Sequence, residues 1–289
     1  VSEMQMRLMQ VREDSPYRDA VERLNDKAFC MQERSTFDLF MVGCKTGMAD
    51  LLAFLDGEKF VGFAYIVTWR RMLYLYYLAI DPGSRGKGYG SAALDTLKDR
   101  YSPDSITLNM EFPDGSEEKE RRLKFYVLNG FMENRVKEKW HGMDFELMYW
   151  GKTPDQKEMG MFFGEFEKAR RDIVAGYGTE HSMGLRKGPF DSIVSGRKTV
   201  EMRLYDEKRR KILPGDRIRF SDGEGEETVV VVKDVIRFPS FKELYETFDK
   251  KDLGYGDGED ASPADMEKYY SVEDIERYGV LAIRIGKPS

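Results

Sequence analysis

The chain has 289 residues, 41% of them hydrophobic and 34% charged, which favours two ordinary globular domains over one large core. No segment has about 20 consecutive apolar residues and the N-terminus lacks a basic-then-apolar pattern, so we predict neither a membrane span nor a signal peptide and expect a cytoplasmic protein. The formal net charge of −6 argues against tight non-specific nucleic-acid binding by the surface as a whole.

Cysteine and histidine are scarce in this chain. The two cysteines show no metal-ligand spacing, so the sequence predicts neither a disulfide framework nor a structural zinc site. The two histidines leave little material for a Ser-His-Asp triad or a histidine-rich metal centre. Any catalysis is therefore expected to use other groups, and no metal is expected.

The first part of the chain mixes strand and helix patterns. Strands are predicted at 4–11, 51–55, 59–69, 72–80, 106–112 and 145–150. Helices are predicted at 17–29, 89–101 and 117–128. Asp56-Gly57 is a hairpin signal, and Asn129-Gly130 marks a helix end. A fourth helix over 155–174 carries Met and Phe residues that need burial, so we expect a packed connector there.

A second unit follows the glycines at 176–178. Its predicted strands are 183–186, 199–204, 217–221, 228–237 and 280–285. Its predicted helices are 189–195, 241–248 and 271–278. Pro214-Gly215-Asp216 is expected to form a turn, and residues 254–260 an acidic glycine-rich loop. No internal repeat is visible.

The most informative segment runs from a strand ending at Ile80 through a glycine-rich loop into a helix. Glycines let a backbone approach a ligand and adopt positive φ, and the free amides and dipole of a helix N-terminus attract phosphate. The loop lacks the GxxxxGK[ST] pattern of a P-loop. It also lacks the N-terminal strand context and the following acidic residue of a dinucleotide site. We therefore predict a different phosphate site.

The loop Arg85-Gly86-Lys87-Gly88-Tyr89-Gly90, after Ile80-Asp81-Pro82, resembles the R/Q-x-x-G-x-G/A signature of the GNAT family of N-acetyltransferases. The resemblance covers residues 1–152. It implies a mixed, mostly antiparallel sheet flanked by helices and acetyl-CoA as donor substrate. It also implies that the pantetheine arm is held by backbone of Leu78, Ala79 and Ile80. The pyrophosphate site that it implies comprises Arg85, Gly86, Lys87, Gly88, Tyr89, Gly90 and Ser91.

A second stretch, Phe125 to Phe131, is similar to the FYxxxGF element of the same family. The resemblance makes Tyr126 a candidate general acid for the leaving thiolate, since a phenol with a pKa of about 10 keeps its proton at neutral pH. The alternative is that Tyr126 only packs against the coenzyme. The asparagine that often precedes this element has no counterpart. A neutral amine is needed for attack, and Glu111 is a candidate base, or otherwise a surface carboxylate.

Charged residues cluster in the second unit. Between Arg197 and Arg219 nine Lys/Arg face four Asp/Glu, a net of +5 in an acidic chain. Lys198 and Glu201 are candidates to face one small site, and Arg203, Arg209 and Arg210 are candidates to bind phosphate or carboxylate. The alternative is an ion-pair network at the surface.

The pattern Gly196-x-Lys198-x-x-Glu201 and the later Pro-Gly-Asp turn resemble the ASCH domain, a small PUA-like β-barrel, over residues 183–289. The resemblance implies a ligand such as RNA or a nucleotide. One ASCH group is similar to enzymes that hydrolyse N4-acetylcytidine with a Lys, a Thr and a Glu. Here the third position after Lys198 is Glu201 instead of Thr, which departs from that hydrolase pattern.

The sequence therefore predicts an α+β protein with a GNAT domain at 1–152, a helical linker at 153–182 and an ASCH domain at 183–289. The predicted activity is acetyl transfer from acetyl-CoA to an amine, with an ASCH domain that binds RNA or a nucleotide-like ligand. The alternative is a coenzyme-binding regulatory module whose ASCH domain binds RNA or hydrolyses an acetylated nucleoside. The acceptor amine and the oligomeric state stay open.

Overall fold

A computed structural model describes residues 6–140, 143–177 and 179–287. The protein is mixed α+β and divides into two compact units, one up to Arg170 and one from Arg171, with the short segment Met31–Arg34 assigned to the second. The division falls inside the helix Gln156–Tyr177.

The first unit is built on a seven-stranded sheet. Its strands are β1 (Met6–Gln10), β2 (Ala49–Asp56), β3 (Lys59–Trp69), β4 (Met72–Ile80), β5 (Ser105–Glu111), β6 (Met132–Trp140) and β7 (Met143–Gly151). Their order in the sheet is β1-β2-β3-β4-β5-β7-β6, with β4 and β5 parallel and the other neighbours antiparallel. The mixed, mostly antiparallel sheet expected from the sequence is confirmed.

Helices cover both faces of this sheet. They are α1 (Arg18–Ala28), α2 (Phe37–Lys45), α3 (Tyr89–Tyr101), α4 (Glu117–Leu128) and α5 (Gln156–Tyr177). Helices α1, α2 and the first half of α5 pack on one face in an aromatic core that includes Phe40, Phe63, Tyr65, Phe162 and Phe166. Helices α3 and α4 pack on the other face. Because both faces are covered, β3 is almost continuously apolar from Val61 to Val67.

The second unit contains a curled five-stranded sheet. Its strands are β8 (Glu180–Gly184), β9 (Val200–Leu204), β10 (Arg217–Ser221), β11 (Glu227–Phe238) and β12 (Val280–Gly286). Their order is β8-β10-β11-β12-β9, and only β8 and β10 are parallel. The helices of this unit are α6 (Lys187–Val194), α7 (Phe241–Thr247) and α8 (Val272–Tyr278).

Two elements escaped the sequence analysis. Helix α2 is apolar on most sides, with Phe37, Phe40 and Met41 buried, so it lacks the alternating polar face that reveals an amphipathic helix. Strand β6 reads Met-Glu-Asn-Arg-Val-Lys-Glu-Lys-Trp, and this charged pattern suits an edge strand that pairs only with β7. The predicted strand 4–11 is β1, and its residues 4 and 5 lie outside the described residues.

Candidate active site

An open slot lies between β4 and β5. The two strands pair only from Met72 to Tyr74 on β4 and from Ser105 to Thr107 on β5. Among the described residues, β4 and β5 form no further pairs from Leu75 to Ile80. These five residue steps leave about 17 Å of the β4 edge that faces β5 open. Backbone donors and acceptors on such an edge suit an extended ligand that itself carries amides.

A β-bulge turns the open edge of β4. Tyr65 and Ile66 of β3 pair with Tyr77 and Leu75, so Tyr76 is an extra residue without an opposite partner. Side chains therefore change faces at this point, and Tyr76 and Tyr77 both contact the aromatic core. The predicted pantetheine-binding residues Leu78, Ala79 and Ile80 follow the bulge and lie along the open edge.

The glycine loop connects this edge to α3. After a short 3-10 turn at Pro82–Ser84, Gly86 and Gly88 adopt φ values of +72° and +86°, which only glycine takes without strain. Gly88 is the N-cap residue of α3, and the first backbone hydrogen bond of this helix runs from Ala92 N to Gly88 O. Within the described residues, the backbone amides from Gly86 to Ser91 have no protein acceptor.

Side chains of the loop stabilise its shape. Arg85 Nε donates to Ile80 O at 3.1 Å, and Lys87 Nζ donates to Gly83 O at 2.9 Å. Tyr89 Oη donates to an Asp56 carboxylate oxygen, and this bond raises the pKa of Tyr89. At Gly90 a Cβ would come within 2.9 Å of the Phe125 ring, so this glycine allows α3 to approach α4.

The loop and slot together fit a phosphorylated ligand with an extended arm. At Gly86 a Cβ would meet no atom within 4 Å, so the space beside its backbone is open. Ser84 is fully buried, and its Oγ has no partner among the described residues. Consecutive free amides at a helix start form an anion site, and the slot begins directly beside it.

Tyr126 of α4 packs in the core of the α3–α4 face. Its ring contacts Phe125 and Phe131 edge-on, with centroids 5.1 and 5.4 Å away, and the residue is 8% exposed. Burial raises the pKa of Tyr126 to about 12, against a smaller opposing effect of Arg122. Among the described residues, no hydrogen bond to its hydroxyl contributes to this shift. The phenol is therefore held in its protonated form throughout the neutral range.

Glu111 ends β5 in a set of ion pairs. Arg122 Nη1 lies 3.0 Å from Glu111 Oε2, and Lys119 Nζ lies 3.4 Å from Oε1. Lys119 also pairs with Asp114, and hydrogen bonds from Ser116 and then from Lys119 lower the pKa of Asp114. The two cations occupy the region where the family asparagine was missing. Lys119 and Arg122 lie three positions apart on the predicted helix, and this spacing was the sequence signal that both could contact one carboxylate.

A cavity of about 180 Å³ lies next to Glu111 at the end of β5. Its walls are Glu111, Phe112, Pro113, Asp114, Lys119, Lys137, Met143 and Asp144. Lys137 pairs with Asp144 at 2.7 Å and lowers the pKa of that carboxyl. The cavity is therefore lined by carboxylates that form ion pairs with lysines.

In the second unit, three of the predicted residues form one charge network around a buried carboxylate. Glu201 is 4% exposed, and its Oε1 lies 2.8 Å from Arg203 Nε while Oε2 lies 3.4 Å from Lys198 Nζ. Burial by itself would lower the pKa of Arg203, but the contacts with Glu201 and Tyr270 together outweigh this effect and the pKa is raised. Arg203 Nη2 also donates to Gly184 O at 2.9 Å. The network is buried, whereas the sequence suggested an ion-pair network at the surface as the alternative.

The loop before the acidic glycine segment covers Lys198. Lys198 Nζ donates to Leu253 O at 3.0 Å, and a Cβ at Gly254 would come 3.1 Å from Lys198 Cδ. Thr199 Oγ1 donates to Asp252 Oδ1 at 2.6 Å. Sequence reasoning missed this loop, because its contact with Lys198 spans 55 positions.

The two remaining arginines are not in this network. Arg209 pairs with Asp206, whereas Arg210 is exposed and has no ion pair among the described residues. Arg219 is likewise held by Glu180 and Glu227, at 2.8 and 2.9 Å. Much of the positive charge of this segment is therefore balanced locally.

No helix in the described part of the chain is both long and apolar enough to cross a membrane. The same residues contain no group of three or more His, Cys, Asp or Glu side chains arranged to hold a metal ion.

Two family models match separate parts of the chain. Residues 13–131 match the acetyltransferase (GNAT) family, and residues 183–289 match the ASCH domain. Together these matches account for most of both units. No curated protein matches the chain.

Solved structures resemble parts of the chain. A protein assigned to the GNAT acetyltransferases from Bacteroides thetaiotaomicron is 20% identical, with 58% of this chain and 96% of that chain covered and a TM-score of 0.47. A spermidine N-acetyltransferase from Vibrio cholerae, solved with CoA and spermine, is 16% identical. The match covers 51% of this chain and 95% of that chain, with a TM-score of 0.42. The hypothetical protein PH0355 is 36% identical, with 38% of this chain and 100% of that chain covered and a TM-score of 0.32.

Proposed function

The chain is an acyltransferase that joins a GNAT-family acetyltransferase domain to an ASCH domain, and from this premise we propose how its residues divide the work. GNAT acetyltransferases take the acetyl group from acetyl-CoA and transfer it to an amine. We assign residues 1–152 to this domain, 153–182 to the helical linker and 183–289 to the ASCH domain. The first half of α5 completes the aromatic core of the GNAT domain.

The donor site is proposed at the slot and the glycine loop. The free amides from Gly86 to Ser91 carry this proposal, because they have no protein acceptor in the described structure and lie at a helix N-terminus. Backbone groups of Leu78, Ala79 and Ile80 would hold the pantetheine arm along the open edge of β4. When bound there, acetyl-CoA supplies a thioester whose acetyl group is transferred.

Two side chains are proposed to handle protons. The amine nitrogen bonds to the acetyl carbon as the carbon–sulfur bond breaks, so the amine loses a proton and the sulfur gains one. Tyr126 Oη would give the sulfur its proton, since burial keeps this phenol protonated. Glu111 would accept the amine proton through water from the adjoining cavity. Ion pairs with Arg122 and Lys119 hold its carboxylate beside this cavity.

A matched pair of glycine variants tests the donor site. Gly86 and Gly47 have φ values of +72° and +73°, and at neither position would a Cβ meet an atom within 4 Å. Gly86→Ala and Gly47→Ala should therefore lose similar stability, about 1 kcal/mol each, from backbone strain. Only Gly86→Ala places a methyl group where the pyrophosphate approaches the loop.

Calorimetry with acetyl-CoA gives the readout. Wild type and Gly47→Ala should bind equally well, and Gly86→Ala should bind at least tenfold more weakly. Equal affinity of the two variants would contradict the donor site, and absence of binding by the wild type would contradict the proposed function itself.

A role for the ASCH domain in binding RNA or a nucleotide-like ligand is a second proposal. It is supported by the exposed cations Arg210, Lys211 and Arg217, which have no ion pair among the described residues. The covered position of Lys198 does not favour the alternative of an acetylated-nucleoside hydrolase, because its ammonium group already donates a hydrogen bond to Leu253 O.

Charge reversal separates these possibilities. The double change Arg210→Glu and Lys211→Glu should weaken binding of a single-stranded oligoribonucleotide and reduce the salt slope by about 1.4, whereas Arg277→Glu on the exposed side of α8 should have less effect. Unchanged affinity in the double variant would refute the RNA proposal. Hydrolysis of N4-acetylcytidine that disappears in Lys198→Ala would favour the hydrolase instead.

A further inference from the structure

Thr107 carries an unusual hydroxyl in the middle of the first unit. The residue is 1% exposed, and its Oγ1 has no hydrogen-bond partner among the described residues. It lies on β5 between Ile106 and Leu108, whose side chains pack on the α3–α4 face, so Thr107 faces the opposite side of the sheet. A buried hydroxyl without a partner is costly, and a methyl group of the same shape would avoid that cost.

The position of Thr107 in the sheet is the second observation. Its Cα is paired with Tyr74, and this is the last rung before β4 and β5 separate. Thr107 therefore lies at the closed end of the slot, while the glycine loop lies at its open end beyond Ile80. A ligand whose phosphates rest on the loop and whose arm follows the edge of β4 brings its far end toward this rung.

The face of the sheet agrees with such a role. Tyr74 shares its rung and contacts the aromatic core, and the bulge places Tyr76 and Tyr77 on that same face. The hydroxyl of Thr107 is thus the buried, unsatisfied donor at the end of a slot that otherwise offers backbone groups and apolar side chains.

Resting on the proposed acetyltransferase function, we propose that Thr107 binds the acyl end of the donor, with its Oγ–H donating a hydrogen bond to the acyl carbonyl oxygen. The contact distinguishes acetyl-CoA from CoA, because CoA has no acyl carbonyl. It also explains why a threonine stands at a position where valine would pack equally well and leave no polar atom unpaired.

Three full-length proteins test this proposal: the wild type, Thr107→Val and Thr107→Ser. Thermal unfolding without ligand should show Thr107→Val at least as stable as the wild type. Calorimetry should show its affinity for acetyl-CoA reduced about fivefold, the equivalent of one neutral hydrogen bond, with its affinity for CoA unchanged. Thr107→Ser, which keeps the hydroxyl, should retain the preference for acetyl-CoA.

Several results would overturn the assignment. A lower Tm of Thr107→Val without ligand would mean that the hydroxyl is already satisfied in the free protein. Equal losses for acetyl-CoA and CoA, or no loss for either, would mean that it does not touch the acyl group. If the wild type bound neither compound, the donor site itself would be wrong, which is a different failure.

Discussion

Replacing Tyr126 by Phe removes one oxygen atom from the proposed active site and leaves the packing of α4 in place. The ring keeps its edge-on contacts with Phe125 and Phe131. Because the hydroxyl has no hydrogen-bond partner in the described structure, its loss should change the free energy of unfolding very little. A change in turnover can therefore be attributed to chemistry.

The expected loss of turnover is large. A positioned general acid contributes about 10²–10⁴-fold to a rate, so kcat should fall by that factor, the equivalent of about 3–5 kcal/mol. Burial raises the pKa of Tyr126 to about 12, so a fraction of only ~10⁻⁵ is ionised at pH 7 and the acid is fully available. Affinity for acetyl-CoA should stay close to that of the wild type.

The sign of the pH effect follows from the raised pKa. Burial favours the neutral phenol in the folded protein, so its contribution to stability is complete below the ordinary pKa of about 10. That contribution is lost as pH rises through the folded value of about 12. Between pH 10 and 12, the free energy of unfolding of Tyr126→Phe should therefore fall less with rising pH than that of the wild type.

Thiol release from acetyl-CoA, measured against a panel of amines, gives kcat and KM. Tyr101→Phe is the matched control, because Tyr101 Oη donates to Asp50 Oδ2 at 2.7 Å on the same face of the sheet. This control should lose about 1–2 kcal/mol of stability and keep its kcat. Full turnover by Tyr126→Phe would refute the role of Tyr126. Absence of turnover by the wild type with every amine would favour a coenzyme-binding regulatory module.

Two further predictions concern stability and are measured by chemical denaturation. Glu201→Gln should lower the free energy of unfolding by about 3–5 kcal/mol, because it leaves the buried Lys198 and the half-buried Arg203 without their counter-charge. The exposed Glu207→Gln should change the free energy of unfolding by no more than ~0.5 kcal/mol, and equal effects of the two changes would disprove the network. Phe162→Ala should cost about 3–5 kcal/mol because Phe162 is fully buried, whereas its exposed neighbour Met161→Ala should cost little. A tolerant Phe162 would mean that α5 is a mere connector.

The glycine loop was predictable because its features are local. Positive φ at Gly86 and Gly88 and the free amides that follow depend on a few consecutive residues. The same holds for α3 and α4, whose bounds equal the predicted ones. Where local signals were poor, prediction failed: α2 is apolar on most sides, and β6 carries charges because it lies at an edge.

Only the tertiary structure decided what surrounds these local motifs. The sequence placed Thr107 and Tyr74 in two strands, but strand pairing determines that they share the last rung before the slot opens. It placed Lys198 and Glu201 three positions apart, yet their burial depends on a loop that arrives 55 positions later at Leu253. Backbone conformation follows from neighbours in sequence, whereas strand register and the desolvation of charge follow from residues that are distant in sequence and close in space.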